Sequence, residues 1–171
     1  MTLRAAFYKG TRPGLLAGGF NRLGRYLNSG PYSHTELVLD GVSWSSSFED
    51  GGVRRKQINF APARWDFIDV PRVYEPRVRD WYLAHEGAPY DLWGNVRFFF
   101  GVARESTDKW FCSESNMAAL GVSRPWEYGP NDMAAWMLDN IMAGYWAVPW
   151  PQGLSIVNDP RHAVFKEYRN G

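Results

Sequence analysis

The pattern of the chain changes at Pro71. Before this proline, apolar and polar residues alternate in short runs separated by glycine-containing turns, which is typical of antiparallel strands. After it, apolar residues recur at helical spacing in longer segments. Strands followed by helices predict the α+β class, with an antiparallel sheet and helices packed against it.

Several runs before Pro71 have the alternation or the apolar content of strands. They are residues 3–8, 34–39, 42–48, 53–60 and 65–70. Asp40-Gly41 is a strong hairpin signal between the second and third runs, and Asp50-Gly51-Gly52 is a further turn.

Helices are predicted from the spacing of apolar residues and from terminal signals. They cover residues 15–27, 76–85, 95–102, 112 or 113 to 120, and 131–143. Gly121 suits the left-handed residue that ends many helices. The 171 residues suit one domain, which we place at residues 1–150, with an irregular tail at 151–171.

Charge and hydropathy exclude some classes of protein. Lys and Arg total 19 against 18 Asp and Glu, and this net charge of +1 argues against a nucleic-acid-binding protein. No apolar stretch approaches the roughly 20 residues of a membrane-spanning helix. Residues 1–10 lack the apolar segment of a secretory signal, so we expect synthesis in the cytoplasm.

The sequence predicts neither a metal nor a cofactor. The acidic residues Glu49-Asp50 and Asp66 with Asp69 have no His or Cys cluster at metal-ligand spacing. No glycine-rich segment matches a phosphate-binding loop. The basic run Arg54-Arg55-Lys56 is interpreted as the solvated end of a strand.

The chain contains 9 tryptophans. Large rings commonly dominate protein cores, so we interpret most of them as core residues. The alternative is a cleft lined with rings, for which Trp44, Trp93 and Trp110 are the candidates.

Cys112 is the only cysteine, and it lies where an aromatic run meets a predicted helix start. Helix N-terminal N–H groups favour the thiolate form and can bind an oxyanion. With His34 far upstream, this is the outline of a thiol-nucleophile enzyme. The alternative is a structural thiol in the core. His85 and His162 compete as the partner, although both are more easily interpreted as surface residues.

A third polar residue would orient His34. Glu36 lies two residues later on the same predicted strand, so both side chains point to the same face. The alternative is a hydroxyl from Ser45, Ser46 or Ser47 on the next strand. Glu36 could equally be a solvated strand residue.

Several short segments, in this order, resemble the permuted branch of the NlpC/P60 papain-like superfamily, which includes the YiiX-like proteins and the lecithin:retinol acyltransferase group. In this branch the His strand precedes the Cys helix. The matching segments are Tyr32 to Val38, Asp50 to Val53, Pro89 to Gly94, Trp110 to Glu114 and Gly129 to Met133. Residues 7–10 and 45–48 are also similar to small phage-encoded members.

The resemblance implies a circularly permuted papain-like fold with Cys112 as nucleophile and His34 as base. The family's third residue would fall near Ser45 to Ser47, where its usual His or Glu is missing, so Glu36 substitutes. Ser46, Trp110 and Ser113 are expected to line the substrate cleft.

The implied function is that of a cysteine hydrolase (a thiol protease or amidase) that cleaves an amide bond, first of all in bacterial cell-wall (peptidoglycan) peptides. One alternative is a thiol acyltransferase or lipid esterase with an acyl substrate. The other is a non-catalytic phage component that keeps the fold, binds virion proteins and is associated with the virion.

Overall fold

The computed structural model of the chain describes residues 2–10, 30–94 and 108–146. Within these ranges it has the predicted α+β class, with a five-stranded antiparallel sheet in the order β4-β3-β2-β1-β5. The strands are β1 (Leu3–Tyr8), β2 (His34–Leu39), β3 (Val42–Ser47), β4 (Gly52–Lys56) and β5 (Trp65–Asp69). The helices are α1 (Glu75–His85), α2 (Cys112–Leu120) and α3 (Pro130–Met142).

The strands agree with the predicted runs except at β4, which ends at Lys56 rather than at residue 60. Residues 57–60 leave the sheet, and Phe60 packs its ring edgewise against Trp65 and Phe67, at centroid distances of 4.9 and 5.3 Å. The helices predicted at 15–27 and 95–102 and the tail at 151–171 lie outside the described residues.

The sheet has two different faces. On one face, which we call the helix face, Leu37 and Leu39 of β2 pack with the three helices to form the main core. On the opposite face, called the second face, a smaller apolar cluster contains Val38 and residues of β1 and β5. Because side chains alternate along a strand, Glu36 lies on the second face with Val38.

Helix α2 begins and ends as the sequence predicts. Its first turn is capped by the Glu114 carboxylate, which accepts a hydrogen bond from the Phe111 N–H at 3.2 Å. Its last turn is closed by Gly121, whose φ of 83° is left-handed and whose N–H donates to the Ala118 carbonyl. The contact of Glu114 makes Phe111 the N-cap and Cys112 the first residue of the helix, and Gly121 sets its end at Leu120.

Candidate active site

The start of α2 is attached to β3 by Ser46. The Ser46 hydroxyl donates to the Trp110 carbonyl at 2.6 Å, and its backbone N–H donates to the Ser115 hydroxyl at 3.2 Å. Ser115 in turn donates to the Cys112 carbonyl at 2.9 Å. These contacts hold the backbone of Cys112 close to the end of β3.

The same helix contacts β2 through the residue that follows His34. Asn116 Nδ2 donates to Thr35 Oγ1 at 3.4 Å. Cys112 precedes Asn116 by four residues and so lies one turn away on the same side of α2. Cys112 and His34 therefore lie at the same end of the sheet, where α2 and β2 both begin. Helix α2 packs on the helix face, whereas the His34 side chain lies with Glu36 on the second face.

His34 and Glu36 are joined directly, as the strand spacing predicts. His34 Nε2 lies 2.7 Å from Glu36 Oε1, and both residues are buried. Ser45 and Ser46 direct their hydroxyls to the carbonyls of Thr35 and Trp110 instead. The predicted contact between Glu36 and His34 is therefore present, whereas the choice of orienting residue between Glu36 and Ser47 stays a prediction.

Glu36 carries a negative charge because cations surround it. Arg54 binds both of its oxygens, from Nη1 to Oε2 and from Nη2 to Oε1, each at 2.6 Å, and the Ser43 hydroxyl donates to Oε2 at 3.0 Å. Burial acts to raise the pKa of Glu36. The hydrogen bonds from Arg54 and the charge of His34 outweigh that effect and hold the pKa well below its usual value.

The sequence indicates a solvated strand end at Arg54, and this interpretation is wrong for its side chain, which is only 12% exposed. The ladder pairs Arg54 with Ser45, which places its guanidinium on the second face beside Glu36. Arg55 and Lys56 do keep exposed side chains. A buried carboxylate needs a cation, and Arg54 supplies it.

Asp50 holds Arg54 from the other side. The Arg54 Nε donates to Asp50 Oδ2 at 2.8 Å, and Lys56 Nζ lies within 2.7 Å of both Asp50 oxygens. Burial acts to raise the pKa of Asp50, but the hydrogen bonds from Lys56 and Arg54 lower it to about 2. Charges of alternating sign thus extend from His34 to Lys56.

The residues expected to line a cleft are placed differently. Ser46 and Ser113 are both fully buried, so neither side chain reaches solvent. Trp110 is half-buried and meets the ring of Trp81 edgewise at 5.0 Å. Trp44 belongs to the core, whereas Trp93 is 69% exposed.

His85 is not the free surface residue that the sequence indicates. Its ring stacks on Trp81 at a centroid distance of 4.1 Å, and its Nδ1 lies 2.7 Å from the Trp81 carbonyl. These contacts assign His85 to an aromatic cluster with Trp81 and Trp110. The other competing histidine, His162, lies outside the described residues.

Asn131 supports the site and was missed as a functional residue. Its side chain makes two hydrogen bonds to the backbone of Tyr32, accepting from the N–H at 3.0 Å and donating to the carbonyl at 3.1 Å. It thereby holds the segment that leads into His34 against α3. The sequence marks the Gly129-Pro130-Asn131 helix start, but it cannot show a partner 99 residues away.

The start of α2 offers suitable groups for acyl chemistry. Its first N–H groups carry the positive end of the helix dipole, which favours a thiolate at Cys112 and could bind an oxyanion.

In the part of the chain that the structure describes, no group of three or more His, Cys, Asp or Glu residues could hold a metal ion. No helix within the described ranges is long and apolar enough to cross a membrane.

Comparison with known protein families finds no family model that matches the chain. Comparison with the curated proteins finds no match either. The function therefore has to be argued from the site itself.

Proposed function

We propose that the protein is a cysteine hydrolase that cleaves an amide bond, with Cys112 as nucleophile and His34 as base. The observation that carries this proposal is the contact of His34 Nε2 with the buried, ionised Glu36, at the end of the sheet where Cys112 begins α2. A carboxylate on one ring nitrogen fixes the imidazole and stabilises its protonated form.

The proposed mechanism uses both groups. Nδ1, the ring nitrogen of His34 that does not face Glu36, exchanges a proton with the Cys112 thiol at this end of the sheet. The thiolate attacks the amide carbonyl, and N–H groups at the start of α2 stabilise the oxyanion. His34 protonates the leaving amine, then takes a proton from water, which hydrolyses the acyl-enzyme and restores the thiol.

The substrate class rests on the resemblance to the NlpC/P60 papain-like branch, which supports bacterial cell-wall peptides. The same branch contains acyltransferases, and Cys112 would attack an ester in the same way. Purified protein incubated with muropeptides and with acyl esters separates these substrates. Cleavage of esters alone would remove the peptidase assignment.

A non-catalytic component that keeps the fold is the second candidate. The observation that favours it is the burial of Cys112, which is only 6% exposed. A structural thiol is usually buried and inert, whereas a nucleophile has to meet its substrate.

The rate of Cys112 alkylation by iodoacetamide between pH 5 and 9 decides between these candidates. An ordinary thiol titrates near ~8.5. We expect rapid alkylation that persists below about pH 6.5 in the wild type and is lost in His34→Ala. His85→Ala is the control and should behave like the wild type. Slow alkylation that rises only near the ordinary pKa in all three proteins would establish the structural thiol.

A further inference from the structure

One carboxylate is shared by two cationic side chains. Glu36 Oε1 faces both His34 Nε2, at 2.7 Å, and Arg54 Nη2, at 2.6 Å, while Oε2 accepts from Arg54 Nη1 and from Ser43. The paired contact of a guanidinium with both oxygens fixes the plane of the carboxylate. His34 therefore contacts a carboxylate that Arg54 already binds through both oxygens.

We propose that Arg54 is a positioning residue that acts on His34 through Glu36: it binds both carboxylate oxygens and thereby limits how strongly Glu36 stabilises the imidazolium. The inference rests on the proposed function, since it concerns the base of the same dyad. It assigns to Arg54 a role that goes beyond balancing a buried charge.

Other ionisable and polar groups of the described residues surround this pair. Tyr8 of β1 is paired with His34 in the ladder, and Ser43 of β3 donates to Glu36. On the helix face, the Tyr82 hydroxyl of α1 interacts electrostatically with Glu36, Arg54 and Cys112. Asp50 binds Arg54, and Lys56 binds Asp50.

The sign of the effect follows from Coulomb's law. The positive charge of Arg54 opposes a second positive charge on His34 and draws on the same carboxylate. Without Arg54, Glu36 has His34 as its remaining cationic partner, so the imidazolium becomes more stable and the pKa of His34 rises. In the proposed dyad, the Cys112 thiol would then pair with an imidazolium that persists to higher pH.

The test is an NMR titration of the histidine ring protons, which needs no substrate. The proteins are the wild type, Arg54→Met, Arg54→Lys and the control Arg55→Met, and the His34 signals are assigned by their loss in His34→Gln. Arg55 is the neighbouring arginine, with a side chain that is 50% exposed and bound to Glu86. Far-UV circular dichroism confirms that each variant is folded.

We expect the midpoint of His34 to rise by about one pH unit in Arg54→Met, which is a tenfold change in its protonation equilibrium. Arg54→Lys keeps the charge but cannot bind both oxygens in the same plane, so its midpoint should rise less. Arg55→Met should leave the midpoint unchanged. If Arg54→Met does not fold, Arg54→Lys decides the question.

An unchanged or lower His34 midpoint in a folded Arg54 variant would overturn the proposal. The alkylation rate of Cys112 in the same variants separates this outcome from a failure of the proposed function. A raised His34 midpoint together with a Cys112 thiol that reacts only slowly below pH 7 would keep the role of Arg54 and reject the dyad. An unshifted midpoint with a reactive thiol would keep the dyad and reject the role of Arg54.

Discussion

Glu36 accepts four hydrogen bonds from His34, Arg54 and Ser43 while its side chain is fully buried. Removing this carboxylate should destabilise the protein, because its partners are also removed from water and would be left without an anion. We therefore expect the charge on Glu36 to contribute to the stability of the fold.

Glu36→Gln keeps the shape of the side chain and removes its charge. We expect it to lower the free energy of unfolding at pH 7 by about 3 kcal/mol, because the guanidinium of Arg54 loses its buried anion. Chemical denaturation of the variant and the wild type measures this change. Glu127→Gln, at an exposed pair with Arg124, is the control and should change stability by less than about 0.5 kcal/mol. Equal effects of the two substitutions would contradict the buried network.

The sequence predicts Glu36 as the partner of His34 because strand alternation alone brings the two together. It does not predict Arg54, whose place depends on which strand lies beside β3 and in which register. A basic run at the end of a strand is usually solvated, so local sequence favoured the wrong interpretation. Only the pairing of Arg54 with Ser45 shows that this arginine reaches the second face.

The start of β4 is a close contact between backbone segments. Gly52 lies beside Ala88 and Pro89, and its successor Val53 donates a backbone hydrogen bond to the Ala88 carbonyl at 2.8 Å. The Pro89 carbonyl in turn accepts a hydrogen bond from the Trp110 N–H at 3.1 Å. This contact connects the Asp50-Gly51-Gly52 turn to the segment that leads into Cys112.

Gly52→Ala tests this contact, with Gly51→Ala as its matched control. Both glycines have positive φ, of 152° and 80°, so alanine is strained at either position. At Gly52 the new Cβ would also lie 2.0 Å from the Ala88 carbonyl oxygen, whereas at Gly51 nothing lies within 4 Å. We expect a loss of about 1 kcal/mol for Gly51→Ala and at least twice that for Gly52→Ala. Similar melting temperatures for the two variants would show that Gly52 and the Ala88-Pro89 segment can move apart to admit the new methyl group.

For individual strands and helices, the sequence predicts the bounds that depend on neighbouring residues. The bounds of β1, β2 and α2 follow from alternation and from the cap at Gly121, and the structure confirms them. The early end of β4 could not be predicted, because the contacts of Phe60 with Trp65 and Phe67 join residues of another strand and are not visible in the local pattern. The permuted papain-like connection stays a prediction.

The whole protein should lose stability in acid. The pKa of Glu36 lies below its ordinary value of 4.5, and that of Asp50 falls from 3.8 to about 2. A carboxyl whose pKa is lowered by folding stabilises the protein above its unfolded pKa and loses that contribution as pH falls. We expect the free energy of unfolding to decrease from about pH 4.5 towards pH 2.

Denaturation curves at pH 7, 4 and 2.5 measure this decrease. The difference between the wild type and Glu36→Gln should be largest at pH 7 and smallest at pH 2.5, because acid removes from the unfolded wild type the charge that the variant lacks. A difference that stays constant across this range would show that the Glu36 carboxyl titrates alike in the folded and unfolded chain.

The contacts that complete the site join distant parts of the chain. Asn131 and Tyr32 are 99 residues apart, and Ser46 and Trp110 are 64 apart. Closing loops of this length costs entropy before the contacts form, which slows folding. On the ribosome, β2 and β3 are synthesised well before α2 and α3, which cover the sheet in the folded protein. Until α2 packs on the sheet, the Cys112 thiol is open to solvent and to oxidants, so we expect the newly synthesised chain to need a reducing environment.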